Sequence, residues 1–130
     1  MRTKNIVIGK IRKENGENMK ANTIRLLEMK AETGLIKNGA KKPTNFFHYA
    51  MNDEDPTEIK KMELNDNNLE EARKWLSSKK NTCERTEGYV GAYYIVTAYA
   101  IEYLEENENG DFIDGSDYDS AEDEIYDGEN

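Results

Sequence analysis

The sequence predicts an α+β fold, in which a small sheet or β-hairpin packs against two or three helices. Short β-branched runs are typical of strands, and apolar residues spaced three and four apart are typical of helices that bury one face. The chain has 130 residues, which indicates a single domain. We place this domain at 1–107 and predict that 108–130 form an acidic, flexible C-terminal tail, because that stretch has few apolar residues.

The first half of the chain is expected to begin with a strand and then a helix. The β-branched run at 4–11 predicts the strand. Either Asn22 or Thr23 can cap the N-terminus of the helix, and Gly34 is a suitable stop. The buried stripe of this helix follows helical spacing and consists of Ile24, Leu27, Ala31 and Leu35.

A hairpin and a second helix are expected to follow. We interpret the apolar run at 46–51 as a strand and 57–64 as the strand that pairs back with it, with Met62 and Leu64 directed inward. Asp66 is predicted to cap the clearest helix, because acids follow it and bases lie near the helix end. The buried stripe of that helix is Leu69, Ala72, Trp75 and Leu76.

The segment 88–107, which follows a predicted link at 81–87, carries conflicting signals. The run at 93–97 is rich in residues that favour strands. A helical period also passes through the segment, at Val90, Tyr94, Thr97, Ile101 and Leu104. We favour one long helix, because this period continues without a turn residue until Asn107.

The charge of the chain is divided sharply at Arg85. All 18 Lys and Arg residues lie in 1–85, whereas 86–130 contain fourteen acids, no base and seven of the eight tyrosines. The net charge of the whole chain is −9. Carboxylates and tyrosines without counter-charge are suited to a positively charged groove on another protein.

Catalytic and metal-binding signatures are absent from the sequence. The single histidine, His48, has apolar neighbours, and the single cysteine, Cys83, has no histidine near it in sequence. An EF-hand-like loop could be centred on Gly110, but its twelfth position would be Ser116, which cannot supply two oxygens to Ca²⁺. We therefore expect a protein that is not an enzyme and that uses no metal or other cofactor.

The N-terminal sequence gives no signal for export. The apolar run at 6–11 is too short for a signal peptide and is broken by Gly9 and Lys10. No stretch approaches the length of about 18 apolar residues that a membrane span requires. We expect a cytoplasmic protein without a membrane partner.

The acidic segment is the strongest candidate for a functional surface. On the predicted helix and tail, its carboxylates would supply charge and its aromatic rings would supply contact area, as is common at binding hot spots. The predicted partner-binding residues are Tyr99, Glu102, Tyr103, Glu105, Glu106, Asp111, Phe112, Asp114, Asp117, Tyr118 and Asp119. The partner would be a basic nucleic-acid-binding protein.

Residues 86–130 give the chain a resemblance to a class of small acidic inhibitors encoded by phages and mobile elements. The resemblance lies in small size, acidic aromatic composition and absence of catalytic motifs. The class includes anti-CRISPR and anti-restriction proteins that mimic DNA. It implies an inhibitor that acts in the bacterial cytoplasm and blocks the DNA-binding groove of a defence nuclease, such as an RNA-guided nuclease.

Two alternatives to this hypothesis remain open. In the first, a basic body binds DNA or a protein and the acidic tail tunes that contact, although the net charge of −9 disfavours direct nucleic-acid binding. In the second, the chain is an immunity-type protein that neutralises a basic toxin. A homodimer is compatible with either alternative, since the predicted core is small.

Overall fold

The computed structural model describes residues 11–12, 18–19, 21–36, 42–53, 55–113 and 117–124. These residues form a mixed six-stranded sheet with a helix packed on each face, and a separate pair of short strands. The predicted α+β class, a sheet packed by helices, is confirmed. The strand predicted at 4–11 lies outside the described residues, apart from Ile11.

Strands outnumber helices in the described parts of the chain. The helices are α1 (Phe46–Asp53) and α2 (Asp66–Ser77). The strands are β1 (Ile11–Arg12), β2 (Asn18–Met19), β3 (Thr23–Glu32), β4 (Thr57–Glu63), β5 (Lys80–Glu87), β6 (Ala92–Leu104), β7 (Asp117–Ser120) and β8 (Glu122–Asp123). Neither described helix is both long enough and apolar enough to cross a membrane.

The longest strand, β6, lies at the centre of the sheet. Along one edge it pairs antiparallel with β3, from Thr23 opposite Leu104 to Glu32 opposite Ile95. Along the other edge it pairs with β5 near its start and with β7 near its end. β4 extends the sheet beyond β3, and β8 pairs in parallel with the first residues of β5.

Alternation along β6 divides the apolar core between the two faces of the sheet. On the α1 face, Val96, Ala98 and Ala100 pack with Phe46 and Ala50, among others. On the α2 face, the core contains Ile101 and Tyr103 of β6, Ile24 and Leu26 of β3, and Leu69 and Ala72 of α2. Burial of each large apolar side chain contributes about 1.5–3 kcal/mol, so both helices stabilise the same central strands.

The helices predicted at 22–35 and 88–107 are wrong, because these segments form β3 and β6. β3 and the last part of β6 are covered on two faces, so side chains of either parity are buried there. In β3, Ile24 and Leu26 face α2, whereas Leu27, Met29 and Ala31 face α1. Burial on both faces hides the alternation that reveals a half-buried strand.

The strand predicted at 46–51 is also wrong, since this run belongs to α1. Asn45 caps the helix: its side-chain oxygen accepts a hydrogen bond from the backbone of His48 at 2.9 Å. Phe46 and Ala50 lie one helical turn apart and are both buried. The predicted strand at 57–64 does form, as β4, but it pairs with β3 instead of 46–51.

The helix predicted from Asp66 onward is confirmed as α2. Leu69 and Ala72 are buried, and Trp75 and Leu76 pack against the same core. The cap is Asn65 instead of Asp66, because the Asn65 side chain accepts a hydrogen bond from the backbone of Asn68 at 2.8 Å. The inward direction predicted for Met62 and Leu64 is confirmed, as both are buried.

Two segments predicted to lie outside the regular structure belong to the sheet. The predicted link at 81–87 is part of β5. Within the predicted tail, 117–120 form β7 beside β6, and Glu122–Asp123 form β8 beside β5. Residues 114–116 and 125–130 of that tail lie outside the described part of the chain.

Asn81 joins β5, β6 and the C-terminal strands. Its side chain is fully buried, and its oxygen accepts a hydrogen bond from the Tyr99 backbone at 2.8 Å. Its side-chain nitrogen donates to the Ala121 carbonyl at 2.9 Å and to an Asp123 carboxylate oxygen at 3.1 Å. Its backbone carbonyl accepts from Glu124 at 2.8 Å. One amide therefore fills the gap between β5 and β7 along the edge of β6.

Replacing Asn81 should destabilise the whole domain. Asn81→Ala leaves the Tyr99 amide without its acceptor and removes the side-chain hydrogen bonds to Ala121 and Asp123, so we expect the free energy of unfolding to fall by about 2–4 kcal/mol. Urea denaturation measures the change. Asn67→Ala, at an exposed position of α2, is the control and should stay within about 0.5 kcal/mol of the wild type. Equal losses of unfolding free energy in the two variants would contradict the role of Asn81 in joining these strands.

Candidate protein-binding surface

The structure distributes the predicted partner-binding residues over two faces of the sheet and one hairpin. On adjacent strands, Glu102 lies opposite Tyr118, and Tyr103 lies opposite Asp117. Residues that lie directly opposite each other in an antiparallel pair point to the same face. Glu102 and Tyr118 therefore belong to the α1 face, whereas Tyr103, Asp117 and Asp119 belong to the α2 face.

Glu102 is buried and its charge is neutralised within the domain. Its side chain is 7% exposed, and the Arg25 guanidinium donates to it at 2.5 Å. The Tyr118 hydroxyl donates to its second carboxylate oxygen at 3.1 Å, and Arg25 also pairs with Glu58 at 2.8 Å. Burial alone would lower the pKa of Arg25, but its two carboxylate partners outweigh this effect and raise it. Glu102 therefore anchors β7 and does not face a partner.

Tyr103 is also a structural residue. It is 1% exposed, and its hydroxyl donates to the Asp119 carboxylate at 2.6 Å. Burial is the main reason that the pKa of Tyr103 is raised well above its ordinary value, and the hydrogen bond and charge of Asp119 add to the effect. The positive charge of Arg73 opposes this shift more weakly. Two tyrosine–carboxylate hydrogen bonds thus hold β7 against β6, one on each face.

Tyr99 is half-buried beside the C-terminal end of α2. Its ring meets Trp75 edge-on with the ring centroids 6.0 Å apart, and the Lys79 ammonium lies 5.2 Å from its centroid. Burial, followed by the charge and hydrogen bond of Glu28, raises the pKa of Tyr99. The ring therefore packs within the domain on at least one side.

The remaining predicted residues lie mainly in a short hairpin at 105–113, which we call the acidic hairpin. Glu106 bridges to Phe112, and the Ile113 backbone donates to the Glu105 carbonyl at 2.9 Å. The turn is closed by Asn107, whose carbonyl accepts from Gly110 at 2.9 Å. Gly110 has a φ of 83°, a conformation that glycine adopts without steric cost.

The acidic hairpin presents charge and apolar area together. Glu108 and Asp111 are exposed, and neither forms an ion pair with any residue in the described ranges. Phe112 and Ile113 are 57% and 53% exposed. Glu105 is half-buried, and Glu106 pairs with Lys61 at 2.9 Å. Asp114, which was also predicted to bind, lies outside the described residues.

The base of the acidic hairpin is fastened to the sheet by Asn22. The side-chain nitrogen of Asn22 donates to the Glu106 carbonyl at 2.8 Å, and its oxygen accepts from the Glu106 backbone at 3.0 Å. The Lys61–Glu106 ion pair adds a second attachment. Both attachments hold the base of the hairpin at Glu106, and the turn is closed by its own hydrogen bonds, which limits the entropy lost on binding.

Several residues of this surface were missed by sequence reasoning. Asn22 and Lys61 are far from the hairpin in sequence, and no local pattern links them to it. Ile113 is absent from the predicted partner-binding residues, although it is exposed beside Phe112. The Asn109–Gly110 dipeptide is a strong hairpin signal, which the prediction of a helix that continues to Asn107 leaves out.

Other candidate chemistry finds little support in the described residues. No group of three or more His, Cys, Asp or Glu side chains within them is placed to hold a metal ion. Cys83 is buried beneath α1, and His48 is exposed on that helix. The EF-hand-like sequence around Gly110 forms the acidic hairpin.

Comparison with known proteins gives no match. No family model, curated protein or solved structure resembles this chain.

Tyr103 should make stability sensitive to alkaline pH. Its raised pKa means that the folded state keeps the proton, whereas the unfolded chain loses it near the ordinary value of about 10. Stability is therefore fully present below that pH and declines as pH rises beyond it. Tyr103→Phe should lower the free energy of unfolding by about 1.5–3 kcal/mol at neutral pH, because it removes the hydrogen bond to Asp119.

The deficit of Tyr103→Phe relative to the wild type should shrink above about pH 10, since the variant lacks the ionising group. Urea unfolding measured from about pH 8 to about pH 11 checks this. Tyr89→Phe removes an exposed hydroxyl and is the control. If the loss of unfolding free energy in Tyr103→Phe stayed constant across this pH range, the raised pKa of Tyr103 would be contradicted.

Proposed function

We propose that this chain is a non-enzymatic protein inhibitor whose acidic hairpin occupies the basic DNA-binding groove of a bacterial defence nuclease. One observation carries the proposal: Glu108 and Asp111 are exposed without a cationic partner among the described residues, directly beside exposed Phe112 and Ile113. Elsewhere in the acidic segment, Glu102 and Asp119 are already engaged inside the domain.

Electrostatics favours a basic groove as the binding site. The net charge of −9 attracts a cationic partner over distances of about a Debye length, roughly 8–10 Å at moderate salt. Once the partner is bound, the exposed carboxylates of the acidic hairpin take the place of DNA phosphates as partners for Lys and Arg in the groove. Phe112 and Ile113 add apolar contact that remains when salt screens the charges.

The alternative in which a basic body binds DNA has weaker support. Five bases in the described ranges form ion pairs with glutamates: Arg25, Lys60, Lys61, Lys80 and Arg85. Their charge is therefore partly cancelled at the surface. The immunity-type alternative follows the same charge logic as the inhibitor, and only the identity of the partner distinguishes the two.

A first experiment identifies the partner and tests the hairpin. Immobilised full-length protein is used to capture proteins from a bacterial lysate that contains restriction and CRISPR nucleases, and each captured nuclease is purified. We expect the protein to block DNA binding by one of these nucleases at a stoichiometric ratio. The full chain is required, because 117–124 belong to the sheet and a truncation would disturb the fold.

Charge-matched variants then test the role of the hairpin. Glu108→Gln with Asp111→Asn should weaken binding to the nuclease by about tenfold or more and reduce its salt dependence. Asp55→Asn with Glu70→Gln removes one exposed Asp and one exposed Glu elsewhere, and should change the affinity by less than about twofold. Equal losses from both pairs would show that only net charge matters. Failure of the protein to block any nuclease would overturn the proposed function.

A further inference from the structure

A second exposed feature lies at the opposite end of β6 from the acidic hairpin. The β5–β6 turn at 88–91, which we call the apolar tip, carries Tyr89 at 104% exposure and Val90 at 75%. Leu35 lies near this end and is 43% exposed. Single exposed apolar residues are common on protein surfaces, but Tyr89 and Val90 are adjacent in one turn and both are largely exposed.

The apolar tip is held in place by the surrounding backbone. Gly88 donates to the Gly91 carbonyl at 2.9 Å, and Ile36 donates to the Ala92 carbonyl at 2.5 Å. A Cβ at Gly88 would lie 2.6 Å from the Gly91 carbonyl oxygen and 3.1 Å from the Tyr93 ring, so glycine is needed there. Tyr89 and Val90 are therefore presented on a tight turn instead of a loose loop.

The sheet next to the apolar tip is open on its α2 face. Ile95 lies in the central strand, with Glu32 opposite it on β3 and Glu84 opposite it on β5. Ile95 is only half-buried, although strands lie on both sides of it, and both glutamates are exposed. Next to the tip, this face of the sheet therefore presents the apolar side chain of Ile95 between the carboxylates of Glu32 and Glu84.

The two exposed features are far apart on a rigid support. β6 has 13 residues, and at about 3.3 Å per residue it separates the apolar tip from the acidic hairpin by about 40 Å. A single partner that contacts both must therefore present a long surface, such as the channel that accommodates a nucleic-acid duplex.

We propose that the apolar tip is an anchor that inserts into an apolar pocket, rimmed by Lys or Arg, on the same nuclease that the acidic hairpin binds. This inference rests on the proposed function and adds a second contact to it. The chemistry of the pocket follows from the tip: Tyr89 and Val90 need an apolar lining, and the exposed Glu32 and Glu84 need basic residues around it.

A second copy of this chain is a less suitable occupant than a basic partner. Contact between two copies at the open face would bring Glu32 and Glu84 of each protomer together, and like charges that face each other across strands are destabilising. The net charge of −9 per chain adds to this repulsion. Charge complementarity therefore favours a basic protein.

Affinity measurements with the purified nuclease test the anchor. Tyr89→Ser with Val90→Thr should weaken binding by about tenfold or more while leaving the dependence on salt unchanged, because the contact is apolar. Ile59→Thr, at another exposed apolar position, is the control and should change the affinity by less than about twofold. An unchanged affinity for the Tyr89/Val90 variant would overturn the anchor. Urea denaturation of each variant shows that its fold is intact.

Photo-crosslinking identifies what the apolar tip contacts. A benzophenone side chain at position 89 should crosslink to the nuclease, and one at position 59 should not. A crosslink from 89 to a second copy of the chain would overturn the anchor. A complex that depends on the acidic hairpin but gives no crosslink from 89 would overturn the anchor alone. A crosslink from 89 to a protein without a nucleic-acid groove would overturn the proposed function as well.

Discussion

The hydrogen bonds of strand β6 are the constraint on which the rest of the structure depends. A buried strand at the centre of a sheet must have its backbone groups paired on both edges. β3 satisfies one edge, but the other is shared between β5 and β7, which leaves a gap at Tyr99. Asn81 fills this gap with its side chain, and Ala121 donates to the Tyr99 carbonyl at 2.9 Å.

This constraint determines which acids remain available for binding. Once 117–124 are drawn into the sheet, Glu102 and Asp119 become partners of Arg25 and of tyrosine hydroxyls. Their charge therefore stabilises the fold and is not available to a binding partner. The carboxylates that remain exposed in the acidic hairpin stand on a fixed base beside apolar side chains, which is a better arrangement for binding than a uniformly charged, flexible tail.

The helix α2 and the inward residues of β4 were predicted correctly, whereas α1 was predicted as a strand and β3 and β6 were predicted as helices. The period of α2 and the inward residues of β4 are visible in sequence because one side of each element meets solvent. β3 and the last part of β6 are covered on both sides, so apolar residues of both parities occur there and a helical period also fits the sequence. In β6 the strand propensity of 93–97 was the better signal. Asn45 could have identified α1 as a helix through its capping role.

The candidate site was predictable in composition but not in geometry. The concentration of acids and tyrosines after Arg85 directs attention to β6, β7 and the hairpin. Which of these residues face solvent depends on pairing between distant segments, such as Asn22 with Glu106 and Arg25 with Glu102. The polar segment at 81–87 gave no sign that a buried asparagine would complete the sheet. Such long-range contacts leave no periodic trace in the sequence.

Competition with DNA is the measurement that tests the central claim most directly. The affinity of the chain for its nuclease would be measured with increasing amounts of duplex DNA, at about 50 mM and about 200 mM salt. The account predicts that DNA displaces the chain completely and that the affinity of the chain falls steeply with salt. A nuclease that binds DNA and the chain simultaneously, with an affinity independent of salt, would contradict the claim that acidic side chains occupy the DNA groove.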